Sequence, residues 1–117
     1  MTELRTDTYK DGTRLAEGPV LGGEKHGEWR YWYRNGQLKS VGSLDHGAFT
    51  GDWIWWRENG EILQKGSFVD GQQHGFWQRW HDNGQLMDEG SWNVGKRTGD
   101  WTYYDRDGAV RKTQTFR

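Results

Sequence analysis

Gly27-Glu28-Trp29-Arg30-Tyr31-Trp32-Tyr33-Arg34-Asn35-Gly36-Gln37-Leu38 is the stretch that decides the fold. Its opening Gly-x-Trp returns as Gly51-Asp52-Trp53, Gly75-Phe76-Trp77 and Gly99-Asp100-Trp101, each 24 residues further on. The turn pair keeps the same step, from Asp11-Gly12 through Asn35-Gly36, Asn59-Gly60 and Asn83-Gly84 to Asp107-Gly108. Two further columns are Gly18, Gly42, Gly66, Gly90 and Gly23, Gly47, Gly71, Gly95. Only Gly22 among the 18 glycines falls outside these columns, so the glycines measure a repeat.

Each unit reads as a β-hairpin. Asn-Gly or Asp-Gly between apolar segments is a strong hairpin signal, because both residues tolerate positive φ. An aromatic run precedes the turn, and an alternating stretch such as Gln37 to Leu44 follows it. The stretch from Asp45 to Asp52 then leads back into the next hairpin. Helix is disfavoured: no ten-residue segment from Asp11 onward lacks a Gly, and each would cost about 1 kcal/mol in a helix interior.

Column comparison sets the expected register. Trp32, Trp56, Trp80, Tyr104 is always aromatic, and Leu38, Ile62, Leu86, Val110 is always aliphatic. If these columns face each other, the loop has three residues, with Gly in the left-handed region and a G1 bulge. A two-residue type I′ turn would instead pair Leu38 with the variable column Tyr33, Arg57, His81, Asp105, which suits solvent. The bulged turn is preferred. Val20, Leu44, Phe68, Trp92, Phe116 has the sequence parity of Leu38 and is expected on the same face. Trp29 and Trp32 have opposite parity, so either a bulge separates them or both faces carry rings. Both Trp columns are read as core, Trp32, Trp56 and Trp80 foremost, with each ring covering a Gly or Leu on an adjacent strand.

The expected architecture is all-β: one domain, an elongated array of antiparallel hairpins with a 24-residue period. Residues 1–20 form a capping hairpin, with Arg5 and Thr8 where later units have Trp, and residues 21–117 form four Trp-rich hairpins. Ten strands at about 4.8 Å give a length of roughly 45–50 Å. Stability should then accumulate unit by unit. The open edges near Leu4 and Phe116 invite end-to-end self-association.

Composition narrows the function classes. With 16 basic and 17 acidic residues, the chain sums to −1. Ile, Leu, Val and Phe are few, yet 9 Trp and 5 Tyr supply the apolar surface that a disordered chain lacks. Runs of Val, Ile and Leu for a buried parallel sheet are absent. Zero Cys excludes disulfides and cysteine-based metal or redox sites. The excess of base over residues 96–117 is too weak to predict nucleic acid. The polar N-terminus shows no secretory signal, which leaves a cytoplasmic location as the default.

Catalytic and metal chemistry find little support. Glu28, Asp52 and Asp100 form an acidic column broken by Phe76, which reads as a solvated strand end rather than an acid–base pair. His26 and His74 share a column two units apart, while His46 and His81 occupy other columns, so no metal and no cofactor are expected. Residues that break the repeat are better binding candidates, since the fold does not require them. Tyr31, Trp55, Arg79, Tyr103 is such a column, rich in the types found at binding hot spots, with Arg57 and His81 beside it.

With these residues in view, the chain resembles the MORN-type repeats, specifically the bacterial MORN-variant repeats. The resemblance rests on the Gly-x-Trp-x-x-Trp-x-x-Asn-Gly-x-Leu core that spans Gly27 to Leu38 and recurs to the C-terminus. An Asp-Gly-Lys element usual in that family is kept only loosely, as Gly71-Gln72 and Gly95-Lys96. The resemblance implies a non-enzymatic, elongated, twisted single sheet used as a scaffold or protein-binding surface. Some bacterial members are antitoxins, which suggests an antitoxin or immunity-type partner protein. MORN repeats are also linked to membranes, for which Lys96, Arg97, Arg111 and Lys112 are the candidate lipid contacts. Choline-binding modules stack similar hairpins with a shorter unit; on that alternative Trp29 and Tyr33 would cage a small quaternary ammonium ligand.

Overall fold

The computed structural model describes residues 2–117 as one open antiparallel sheet. Its strands are β1 (Glu3–Thr8), β2 (Arg14–Leu21), the two-residue β3 (Glu24–Lys25), β4 (Gly27–Trp32), β5 (Leu38–Asp45), β6 (Ala48–Trp56), β7 (Ile62–Val69), β8 (Gln72–Trp80), β9 (Leu86–Asn93), β10 (Lys96–Tyr104) and β11 (Val110–Phe116). Apart from β3, which pairs only with β2, the order along the sheet is the order in the chain. Five hairpins result, in a body of 46 × 31 × 15 Å, so the long axis runs across the strands. β1 and β11 are the free edges.

Two of the four glycine columns sit at turns of two kinds, one on each side of the ribbon. At Tyr33–Gln37 the Gly36 N–H donates to Tyr33 O at 3.0 Å and the Tyr33 N–H to Gln37 O at 2.8 Å. Gly36 has φ +88°, so this is the three-residue bulged turn, and Trp32 pairs with Leu38 as expected. The Asn35 carboxamide oxygen accepts from the Gln37 N–H at 2.9 Å, which explains the Asn/Asp column. On the other side, Asp45 pairs with Ala48 around His46 (φ +49°) and Gly47 (φ +86°), a two-residue type I′ turn.

Val94 occupies that first position with φ +46°, although its side chain is β-branched. At 46 % exposure it gains little packing there. Val94→Asn should therefore stabilise the fold by about 1 kcal/mol, and so raise the unfolding midpoint, through relief of left-handed strain. Urea denaturation measures the change.

One expectation about faces is corrected. Tyr31 pairs with Ser40 while Trp32 pairs with Leu38, so Lys39 is an extra residue and the register slips. The same slip follows Ile62, Leu86 and Val110. Beyond it, Leu44 pairs with Gly27 and shares a face with Trp29 and Tyr31, not with Leu38. Both sheet faces therefore carry rings. The front face holds the Trp29 column with the Leu44 column. The back face holds the Trp32 column with the Leu38 column.

The order of burial also reverses. Trp29, Trp53, Trp77 and Trp101 are 0–3 % exposed, whereas Trp32, Trp56 and Trp80 are half-buried. The reason lies under the front-face rings. Each lies flat against a glycine one strand back: Trp29 on Gly18, Trp53 on Gly42, Trp77 on Gly66, Trp101 on Gly90. Its indole N–H then reaches a carbonyl ten residues earlier, from Trp53 to Ser43 O at 2.9 Å and from Trp101 to Ser91 O at 3.0 Å. Gly and Trp form one packing unit, repeated four times.

Candidate functional site

The front face is built outward from that spine. Tyr31, Trp55, Arg79 and Tyr103 stand two residues beyond each buried Trp, hence on the same face. Rings follow one another across repeats: Trp29–Tyr31 at 6.2 Å, Tyr31–Trp53 at 6.3 Å, Trp53–Trp55 at 5.6 Å and Trp55–Trp77 at 5.8 Å. Tyr31 and Trp55 are half-buried, and Tyr103 is buried. The structure thus brings all four into one stripe.

Arg79 breaks the run of rings. Its Nε lies 3.1 Å from Asp88 Oδ1, and its Nη2 donates to Oδ2 in a bidentate pair. Asp88 is 2 % exposed, in a column that otherwise reads Ala16, Ser40, Gln64 and Lys112. The hydrogen bonds that Arg79 donates to Asp88 raise the guanidinium pKa against the opposing effect of burial. A fixed cation is therefore displayed between Trp55 and Tyr103.

A second column was not legible as part of this face. Lys25, Phe49, Gln73 and Arg97 lie four residues before each buried Trp, and all but Gln73 lid its ring. Lys25 Nζ stands 4.6 Å from the Trp29 ring centre, Phe49 stacks on Trp53 at 4.4 Å, and the Arg97 guanidinium lies 4.9 Å from the Trp101 ring. Lys25 and Arg97 also donate to the Tyr31 and Tyr103 hydroxyls, each at 3.0 Å. Where Gln73 replaces these larger groups, a recess opens beside Trp77, walled by Arg79, Asp88, Trp92 and Arg97. The lid column varies between repeats, the property that singled out Trp55. It sits in the Asp45–Asp52 type of stretch, which the sequence reading treated only as a connection.

Arg57 and His81 do not join the stripe, and their column is not simply solvated. Tyr9, Tyr33, Arg57 and His81 each reach 23 residues ahead, to the carbonyls of Trp32, Trp56, Trp80 and Tyr104, at 2.6, 2.7, 3.0 and 3.0 Å. A carbonyl only accepts, so His81 serves it with Nε2 protonated. These side chains staple each bulged turn to the next repeat. Arg57 does so with its Nε buried and without an acceptor.

The remaining candidates divide. Trp29 is fully buried between Gly18 and the Lys25 and Arg5 side chains, so it cannot receive a quaternary ammonium with Tyr33, whose hydroxyl is committed to Trp56 O. Asp52 and Asp100 accept hydroxyl hydrogen bonds from Ser67 and Thr115, in keeping with strand-end carboxylates. Of the four basic residues near the C-terminus, Arg97 and Lys112 lie against front-face rings, Lys112 at 4.9 Å from Tyr103. No helix among the described residues is long and apolar enough to cross a membrane.

The histidines are placed otherwise than their columns suggest. His26 and His46 come together at the β5–β6 type I′ turn, ring centres 4.8 Å apart, with Asp45 between them. Column arithmetic counts neighbours 24 residues apart, and these two are 20 apart.

A 24-residue hairpin with a bulged Asn-Gly turn and a Trp seated on the previous strand's Gly is the repeat unit. The family model described as MORN repeat variant matches residues 25–46, 49–70 and 73–93, more than half of the chain. The chain belongs to the MORN repeat variant family. The three matched windows start at Lys25, Phe49 and Gln73, so their spacing is the structural period. As a MORN-variant protein it is a non-enzymatic repeat protein. No curated protein matches the chain.

Proposed function

We propose that the front face binds another protein, and that the chain acts as a scaffold or as an antitoxin- or immunity-type partner. One observation carries the reading: side chains the repeat does not dictate are gathered on one rigid face. Tyr31, Trp55, Arg79 and Tyr103 vary while the Trp–Gly spine beneath them is constant. Aromatic and Arg side chains held by neighbours lose little entropy on binding, which is why such residues dominate interface energetics. Phe49, 36 % exposed, and the Asp88-anchored Arg79 extend the same surface.

A pull-down from the native host with wild-type protein and with Trp55→Ser tests this. Trp55 is half-buried and away from the Gly contacts, so the variant should keep its circular dichroism spectrum. A front-face partner should be lost or reduced at least tenfold. A partner captured equally by folded Trp55→Ser would overturn the assignment of this face.

A further inference from the structure

The junction between the first two matched repeats carries two histidines and two carboxylates that the repeat does not require. Glu24 shares its column with Ala48, Gln72 and Lys96; His26 with Thr50, His74 and Thr98; Asp45 with Leu21, Val69 and Asn93; His46 with Gly22, Asp70 and Val94. Only here do all four columns hold a metal-ligating type. The later His74 stands alone among Gln72, Asn93 and Val94.

The backbone holds these side chains together. His46 and Gly47 are fixed in the left-handed conformation of the type I′ turn. The Gly47 N–H donates to Lys25 O at 2.9 Å, which clamps this turn against the strand bearing Glu24 and His26. His26 Nδ1 is 3.4 Å from Asp45 Oδ1, His46 Nε2 is 3.8 Å from the same oxygen, and one donor atom from each residue lies within 4.8 Å of the others. Glu24 Oε1 lies 3.7 Å from His46 Nδ1, on the outer side. A tetrahedral ion with bonds of about 2.0 Å spaces its donors about 3.3 Å apart. The observed distances approach that spacing. The exposed Asp45 and His46 and the partly exposed His26 rotate to close the difference, His26 Nδ1 giving up the 3.4 Å hydrogen bond it accepts from the His46 N–H.

We infer that His26, Asp45 and His46 form a binding site for a divalent transition-metal ion of the zinc class. Two imidazoles and a carboxylate select such an ion over magnesium or calcium, which take oxygen donors. His26 and His46 supply nitrogen, Asp45 supplies oxygen, and water completes four-coordination, with Glu24 beside the outer nitrogen of His46. The ion ties the segment after the capping hairpin to the β5–β6 turn. It would therefore fix the N-terminal end of the array without touching the front-face stripe.

The test uses the full chain, stripped with a chelator and titrated with zinc chloride by calorimetry and against a chromophoric chelator. Saturable binding of one ion per chain is expected, with an unfolding midpoint that rises with zinc. His46→Asn suits the turn conformation and removes one imidazole; it should weaken binding at least tenfold while remaining folded. His26→Ala should do the same, whereas His74→Ala should bind as the wild type does. Zinc-induced amide shifts should centre on residues 24–26 and 45–47. Absence of saturable binding, or equal binding by His46→Asn and wild type, would overturn the site. So would equal weakening by His74→Ala.

Discussion

Gly66→Ala should unfold the middle of the sheet, although it adds one methyl group. A Cβ at Gly66 would fall inside the Trp77 indole, against ring atoms that have no free rotamer to move into. Trp77 is 3 % exposed, its N–H is bonded to Ser67 O at 3.0 Å, and Phe68 packs edge-on at 5.2 Å. The ring must lift from the sheet, breaking the indole hydrogen bond and exposing part of its face. Overpacking of a tight core costs about 1–3 kcal/mol, and a lost buried hydrogen bond adds about 1 kcal/mol. We expect a loss of about 3 kcal/mol by urea denaturation. Gly60→Ala serves as a contrast: φ is +92° there, yet nothing but the end of the Gln37 side chain stands near its Cβ, so only backbone strain of about 1–2 kcal/mol applies. Equal effects would show that the Trp–Gly contact is not the structural unit.

The contrast explains what was legible in the sequence. Period, hairpin number and bulged turn were readable because positive φ favours Gly at the last turn position, as at Gly36, and the Asn or Asp before it accepts a turn N–H, as Asn35 does from Gln37. Which face a residue takes was not. The extra residue after Leu38 is Lys39, and its counterparts are Leu15, Leu63, Met87 and Arg111. A bulge that accepts any side chain leaves no mark in a sequence, yet it moves the Leu44 column to the other face. The ranking of the Trp columns failed for a related reason. Both are invariant in character, and only the glycine one strand back distinguishes the fully covered one. That glycine was visible as a column, but its pairing with Trp29 rather than Trp32 depends on register.

The candidate site was half legible. Variation within a column directs attention to Tyr31, Trp55, Arg79 and Tyr103, which the structure places on one face. Variation alone also selected Arg57 and His81, whose side chains satisfy main-chain carbonyls. Hydroxyl, guanidinium and imidazole all donate to a carbonyl, so a structural task can tolerate three residue types. The His26–His46 meeting depends on the type I′ geometry of a turn whose first position accepts Gly22, His46, Asp70 or Val94.

Trp53→Ala should be the most damaging single truncation, because among the buried tryptophans Trp53 joins the most of the front face. It is 1 % exposed, covers Gly42, bonds Ser43 O, and stacks with Phe49 and Trp55 at 4.4 and 5.6 Å. Tyr31 and Phe68 lie 6.3 and 6.5 Å away, and Trp29, Leu44 and Ala16 belong to the same buried cluster. Truncating a buried Trp costs about 3–5 kcal/mol, and here an orphaned carbonyl is added. In a globular core that loss would be shared by the whole domain. In a linear array, each hairpin touches only its neighbours, so the loss falls on the coupling between β5 and β6–β7. The expected result is a denaturation curve that splits into two transitions. Amide exchange should then rise first over residues 27–56, while β9–β11, with the independent Trp101–Trp92 contact at 5.8 Å, keeps its protection. A single cooperative transition with uniform loss of protection would mean that the strand ladder, rather than the tryptophan spine, sets the cooperativity of this sheet.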